Sequence, residues 1–132
     1  MYEINLFGPV GSGFDMWSGV EMLDEKWLAA ELAKAGGEPV NVNVNSDGGS
    51  VFTAKAMMSA IASYPGHVTA TVTALAASSA SFLIQSADRV AIVPGAQMMI
   101  HEVWTPAGGT AREMRVAADR LDHIQDTTMI PA

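Results

Sequence analysis

Residues 40–49, Val40-Asn41-Val42-Asn43-Val44-Asn45-Ser46-Asp47-Gly48-Gly49, constrain the fold more than any other stretch. Three valines alternate with three asparagines, so an extended chain carries an apolar row on one face and amides on the other. Such a strand needs a core on one side only. It stops at paired glycines, which permit positive φ and a close approach of backbone to a ligand. A plain tight turn uses the same residues. Val51, Ala54, Met57, Met58 and Ile61 then recur at helical spacing over about residues 51–63. The same order repeats further on. The run His67–Leu75 alternates, breaks at small residues, and is followed by an Ala/Ser-rich helical segment through Ser86. Strand–helix units in series predict an α/β fold with a largely parallel sheet.

The remaining segments fit this plan. Tyr2–Phe7 alternates and reads as a first strand. The loop Gly8–Gly13 lacks both the Lys-Ser/Thr of a P-loop and the Rossmann spacing. Asp24 reads as the N-cap of a helix with Trp27, Leu28, Leu32 and Ala35 on one face, and Gly36-Gly37 end it. Pro39–Val44 is a second strand. Asp88–Val93 and Ala96–Val103 are further strands, and the latter carries His101. Thr110 caps a long helix with Met114, Ala117, Ala118, Leu121 and Ile124 on one face. A length of 132 residues predicts a single domain over residues 1–132.

Composition excludes several function classes. The chain has no cysteine, hence no disulfide and no thiolate metal site. His67, His101 and His123 lack metal-ligand spacing, so no metal and no other cofactor is expected. A net charge of −7 argues against nucleic-acid binding, because the one basic cluster, Arg112, Arg115 and Arg120, is interleaved with Glu113, Asp119 and Asp122. Apolar residues make up 49% of the chain, yet no run is long enough to cross a membrane. Apolar surface is therefore expected to be buried against other subunits. The N-terminus has no basic n-region, so a cytoplasmic protein without a secretory signal is expected.

The chemistry is carried by Ser78, placed where a strand turns into a helix. Unpaired N–H groups of a first helical turn favour negative charge, which suits acyl transfer at a serine held there. Serine is also a preferred N-cap and needs no other role. A serine hydroxyl is a weak nucleophile unless a base takes its proton, and histidine suits that task near neutral pH.

Three pieces, Asn45-Ser46-Asp47-Gly48-Gly49, Ala76-Ala77-Ser78 and Met99-Ile100-His101, resemble in order and spacing the signatures of the ClpP family of serine peptidases, within the ClpP/crotonase fold. The resemblance runs from about Leu6 to the end of the chain. It implies a spiral of β-β-α units and a protruding C-terminal handle helix. It also implies Ser78 as nucleophile, His101 as general base, and the backbone N–H groups of Gly49 and Ser79 as the oxyanion hole. Gly48, Ser50 and Val51 are placed by it where a polypeptide substrate pairs as an added strand. It further implies a homo-oligomeric ring, with an AAA+ unfoldase or phage capsid and scaffold proteins as partners; the phage and prophage members are the more similar.

Two departures stand out. Asp47 replaces the family's usual proline and brings a carboxylate to the groove. The family's third triad member, an aspartate, lies beyond the long helix, and the chain is read as truncated before it and so as nearly inactive. Asp119, Asp122 and Asp126 lie on the helix itself and are not assigned to the triad. Three other readings stay open. A crotonase-like acyl-CoA enzyme would use the two backbone donors, with Asp47 near the reacting carbon. A Ser–Lys dyad would have to use Lys55. A non-catalytic scaffold or assembly subunit would use neither.

Overall fold

The computed structural model describes residues 1–15, 19–100 and 108–129. It divides into two compact units, Met1–Ile100 and His101–Ala132.

The first unit is built on a parallel sheet. Strands β1 (Tyr2–Phe7), β4 (Val40–Ser46), β5 (Val68–Ala77) and β6 (Arg89–Ile92) lie in the order β1-β4-β5-β6, and β7 (Gln97–Met99) pairs with the far end of β5. Every pairing in this sheet is parallel. A separate two-stranded ribbon joins β2 (Phe14–Asp15) to β3 (Val20–Glu21) in antiparallel fashion. Helices α1 (Glu25–Ala35), α2 (Val51–Ser63) and α3 (Ser79–Leu83) complete the unit, with a 3₁₀ turn at Ile84–Ser86. The α/β class and the largely parallel sheet are as expected from the strand–helix repeats.

The alternation in the sequence decides which face is inside. Ile4 and Leu6 of β1, Val40, Val42 and Val44 of β4, and Val68, Ala70 and Val72 of β5 form a buried layer. Leu28 and Leu32 of α1 and Ala54, Met57 and Ile61 of α2 are buried with them. Each large side chain so buried contributes about 1.5–3 kcal/mol of transfer free energy. Parallel sheets are usually covered on both faces by apolar residues. Here the second face carries Glu3, Asn5, Asn41, Asn43 and Thr71, which satisfy one another. Asn41 Nδ2 donates to Asn43 Oδ1 (2.9 Å) and Glu3 Oε1 (3.3 Å), Asn43 Nδ2 to Asn5 Oδ1 (3.1 Å), and Thr71 Oγ1 to Asn41 Oδ1 (2.6 Å).

The helix limits follow their caps. Asp24 accepts from the Trp27 amide at 2.9 Å, and Gly36 ends α1 in the left-handed conformation. Several limits differ from expectation: β4 and β5 each run two residues further than Val44 and Leu75, and the Ala/Ser-rich helix stops at Leu83, with a 3₁₀ turn covering the rest to Ser86. Asp88 is outside β6, because its carboxylate accepts the Val68 amide (2.7 Å) while its own N–H donates to the Val68 carbonyl (2.9 Å), tying off the start of β5. The strand expected over Ala96–Val103 is β7, Gln97–Met99, and residues 101–107 fall outside the described ones. The ribbon β2–β3 was not expected.

The second unit contains α4 (Ala111–Ile124), capped by Thr110, whose Oγ1 accepts from the Glu113 amide at 3.2 Å. One π-helical turn, Gln125–Met129, follows. None of the described residues of α4 is buried; Met114 of its apolar stripe is exposed, as is Val116 on another face. Among the described residues, no helix is long and apolar enough to cross a membrane.

Candidate active site

The site lies at the C-terminal ends of β4 and β5, the edge at which open parallel sheets commonly bind ligands. The register shifts by a bulge between Val44 and Ser46, so that Ser46 comes level with Ala76. That shift sets the glycine turn after β4 against the serine turn after β5. A Cβ built on Gly48 would stand 2.7 Å from the Ala77 carbonyl oxygen, 2.8 Å from Ser78 Cβ and 3.0 Å from the Ser79 amide nitrogen. Gly48 also has φ +96°, so no other residue fits there without displacing the serine turn.

Two partners hold the glycine turn. Ser46, 3% exposed, donates from Oγ to the Gly8 carbonyl at 2.6 Å and accepts the Gly48 amide at 3.1 Å. Val10 donates to the Gly48 carbonyl and accepts from the Ser50 amide, both at 2.9 Å. These two bonds occupy one edge of the extended segment, so the N–H and C=O of Gly49 face the other. A Cβ on Gly49 would collide with the Val10 carbonyl. Ser50 caps α2, accepting from the Thr53 amide at 3.3 Å, and Val51 opens that helix half-buried. Asp47 is exposed.

Ser78 is the one described non-glycine residue with positive φ, at φ 56° and ψ −127°. Those angles belong to the first central position of a type II′ turn, where glycine is the usual residue. Its backbone is held at both ends. The amide donates to the Met99 carbonyl of β7 at 2.8 Å. The carbonyl accepts from Ser81 Oγ at 2.6 Å, from the Ser81 amide at 3.1 Å and from the Phe82 amide at 3.4 Å. Ser78 stands at the N-cap of α3 but makes no capping hydrogen bond with its hydroxyl. Ser79 is fully buried, and its Oγ is the buried side-chain oxygen without a partner among the described residues. Among the described residues, no hydrogen bond takes up the amide of Gly49 or of Ser79.

The structure thus brings together Gly48, Gly49, Ser50, Ser78 and Ser79. His101 lies outside the described residues; Met99, two positions before it, is the residue bound to the Ser78 amide. The carboxylates of Asp119, Asp122 and Asp126 belong to the second unit and are exposed. Among the described residues, no three histidine, aspartate or glutamate side chains gather as a metal cluster would. A groove of about 450 Å³ lined by Leu32, Gly36, Tyr64 and Pro65 lies where α1 and α2 end, the end of α2 remote from Gly49. Sequence reasoning missed Val10, Ser46 and Ser81. Val10 and Ser46 bind backbone groups distant in the chain, Ser46 also takes the Gly48 amide two positions on, and Ser81 reaches one turn back.

The sequence profile described as "Clp protease" matches residues 25–130, a span that includes both turns and residue 101. The chain is 31% identical over 90 residues to a protein named ATP-dependent Clp protease proteolytic subunit 3 from Streptomyces coelicolor; the match covers 67% of this chain and 42% of that protein. The chain therefore spans less than half the length of that relative. With the profile extending over most of its length, the chain belongs to the Clp protease family.

Proposed function

We propose that this chain is a serine endopeptidase of ClpP type, with Ser78 as nucleophile, His101 as general base and the amides of Gly49 and Ser79 as oxyanion donors. The observation that carries the proposal is the Ser78 backbone, held at φ 56° while its hydroxyl is kept out of the helix cap. A non-glycine residue in that region costs on the order of 1–3 kcal/mol and persists only where surrounding contacts over-determine it, as at functional turns. The Gly48 contact and the outward Gly49 amide supply what such a serine needs beside it.

In this mechanism Ser78 Oγ attacks the scissile carbonyl carbon as His101 takes the hydroxyl proton. Negative charge builds on the carbonyl oxygen and is met by the two amides, each worth roughly 3–4 kcal/mol in enzymes where one such donor was removed. His101 returns the proton to the leaving amine, and water then releases the acyl group by the reverse steps. The polypeptide lies as an added strand along Gly48, Ser50 and Val51. The exposed carboxylates of α4 take no part. We extend the proposal to a homo-oligomeric ring in the cytoplasm, serving an AAA+ unfoldase or, as a phage-type member, capsid and scaffold proteins.

The test is hydrolysis of a fluorogenic peptide series and of an unfolded protein by the wild-type chain, Ser78→Ala and His101→Ala. Cleavage lost in both variants is expected. Cleavage that survives Ser78→Ala would refute the assignment, and a wild-type protein inert towards every substrate would favour the scaffold reading.

A further inference from the structure

We propose that Ser81 is a positioning residue that keeps the Ser78 hydroxyl available for chemistry. The inference rests on Ser78 being the nucleophile, as proposed above, and assigns a role to a residue that neither family resemblance nor local pattern singled out.

A serine at the start of a helix ordinarily sits in the β region, and its Oγ accepts the amide of the second or third helical residue. In α3 those are Ala80 and Ser81. A Ser78 that relaxed to this conformation would shed its backbone strain and could satisfy the Ala80 amide, the Ser81 amide being already bound to the Ser78 carbonyl. Its hydroxyl would then be engaged as a cap. The observed state is the other one: φ is 56° and no capping bond is made. Something must hold it there, and α3 itself is too short to do so, since Ser79–Leu83 is little more than one helical turn.

The shortest bond on Ser78 comes from Ser81 Oγ, which donates to the Ser78 carbonyl at 2.6 Å. Ser81 is 3% exposed, so water does not compete for this bond. The usual capping relation is thereby reversed. The side chain three residues into the helix binds the backbone of the cap, and the cap side chain is left out. The Met99 carbonyl fixes the preceding peptide plane by accepting the Ser78 amide. Back-bonding of a helical serine to a carbonyl three residues earlier is common by itself. Its conjunction here with a strained, uncapped serine is what assigns the role. Removing the hydroxyl shifts the balance between the strained and capped forms of Ser78 towards the capped one.

The experiment compares wild type, Ser81→Ala and Ser81→Thr by two readouts. The first is the rate of covalent labelling by a fluorophosphonate, resolved into a binding constant and a maximal inactivation rate. The second is the Ser78 backbone angle and Oγ partner in a crystal structure of each unlabelled protein. With one buried hydrogen bond worth about 0.5–1.5 kcal/mol, the inactivation rate of Ser81→Ala is expected to fall by up to about two- to twelvefold with binding unchanged. Ser81→Thr, which keeps the donor, is expected to recover most of it. The crystal structure of Ser81→Ala is expected to place Ser78 at negative φ with Oγ against the Ala80 or Ser81 amide. A Ser81→Ala protein that retains φ near 56° overturns the inference, as does one labelled at the wild-type rate. A wild-type protein that does not label at all would sink the peptidase proposal, while the two crystal structures would still decide whether Ser81 holds the turn.

Discussion

Ser78→Gly and Ser78→Ala should separate in stability, in the direction opposite to the usual one. Glycine in place of alanine within regular structure normally destabilises by about 0.5–1 kcal/mol, because the unfolded glycine has more conformations to lose. At Ser78 the folded backbone lies at φ 56° and ψ −127°, which a β-carbon disfavours. Relief of that strain is worth about 1–3 kcal/mol, and glycine alone obtains it. Both variants lose the hydroxyl, which makes no capping bond, so that loss cancels in the comparison. The difference, about 1 kcal/mol at mid-range and up to about 2.5 kcal/mol, favours glycine. For a chain of this size it corresponds to a rise in Tm of about 3–6 °C per kcal/mol. The assay is urea and thermal unfolding of the two variants at one protein concentration, since assembly shifts apparent stability by mass action. Alanine more stable than glycine by the ordinary amount of about 0.5–1 kcal/mol would show that residue 78 is not held in a strained conformation, and the positional case for a poised nucleophile would fall with it.

Other perturbations have equally definite outcomes. Gly48→Ala pushes a methyl against the Ala77 carbonyl and Ser78 Cβ at positive φ; a loss of about 2–4 kcal/mol in urea unfolding is expected, together with lower peptidase activity. Ser46→Ala leaves the Gly48 amide and the Gly8 carbonyl without their partner, and a cost of about 1–3 kcal/mol is expected by the same assay. Removing helix caps by Asp24→Ala or Ser50→Ala should each cost about 1 kcal/mol, more for Asp24, whose bond is 2.9 Å against 3.3 Å for Ser50. The Glu31 carboxylate, hydrogen-bonded to Lys34, raises the Lys34 ammonium above its ordinary value of 10.5. The pair is fully present below pH 10.5 and fades as pH rises through the raised value, so NMR titration should find Lys34 the later to deprotonate in wild type than in Glu31→Gln.

Elements set by periodicity were legible from residue types alone. Tyr2–Phe7 and Val51–Ser63 occupy the ranges their alternation and helical spacing indicate, because each buries one face against the sheet core. Caps such as Asp24 and Thr110 were legible for a local reason: side chain and amide lie three residues apart. The ribbon Phe14–Asp15 with Val20–Glu21 was not, since two-residue strands show no period and both Phe14 and Val20 remain exposed. At the site, Gly48, Gly49 and Ser78 stood out as turn residues between periodic segments. What made them one site did not, because it depends on a register shift between β4 and β5 and on Val10, a residue nearly forty positions upstream of the turn it braces. The positive φ of Ser78 was likewise invisible, for serine carries no local signal of that conformation.

The most direct measurement is the intact mass of the protein before and after treatment with a fluorophosphonate, with the modified residue located by peptide sequencing. One adduct per chain, on Ser78 and strongly reduced in His101→Ala, is the expected result. An adduct on another residue, or none under conditions that label an authentic serine peptidase, would contradict the central claim that Ser78 is an activated nucleophile.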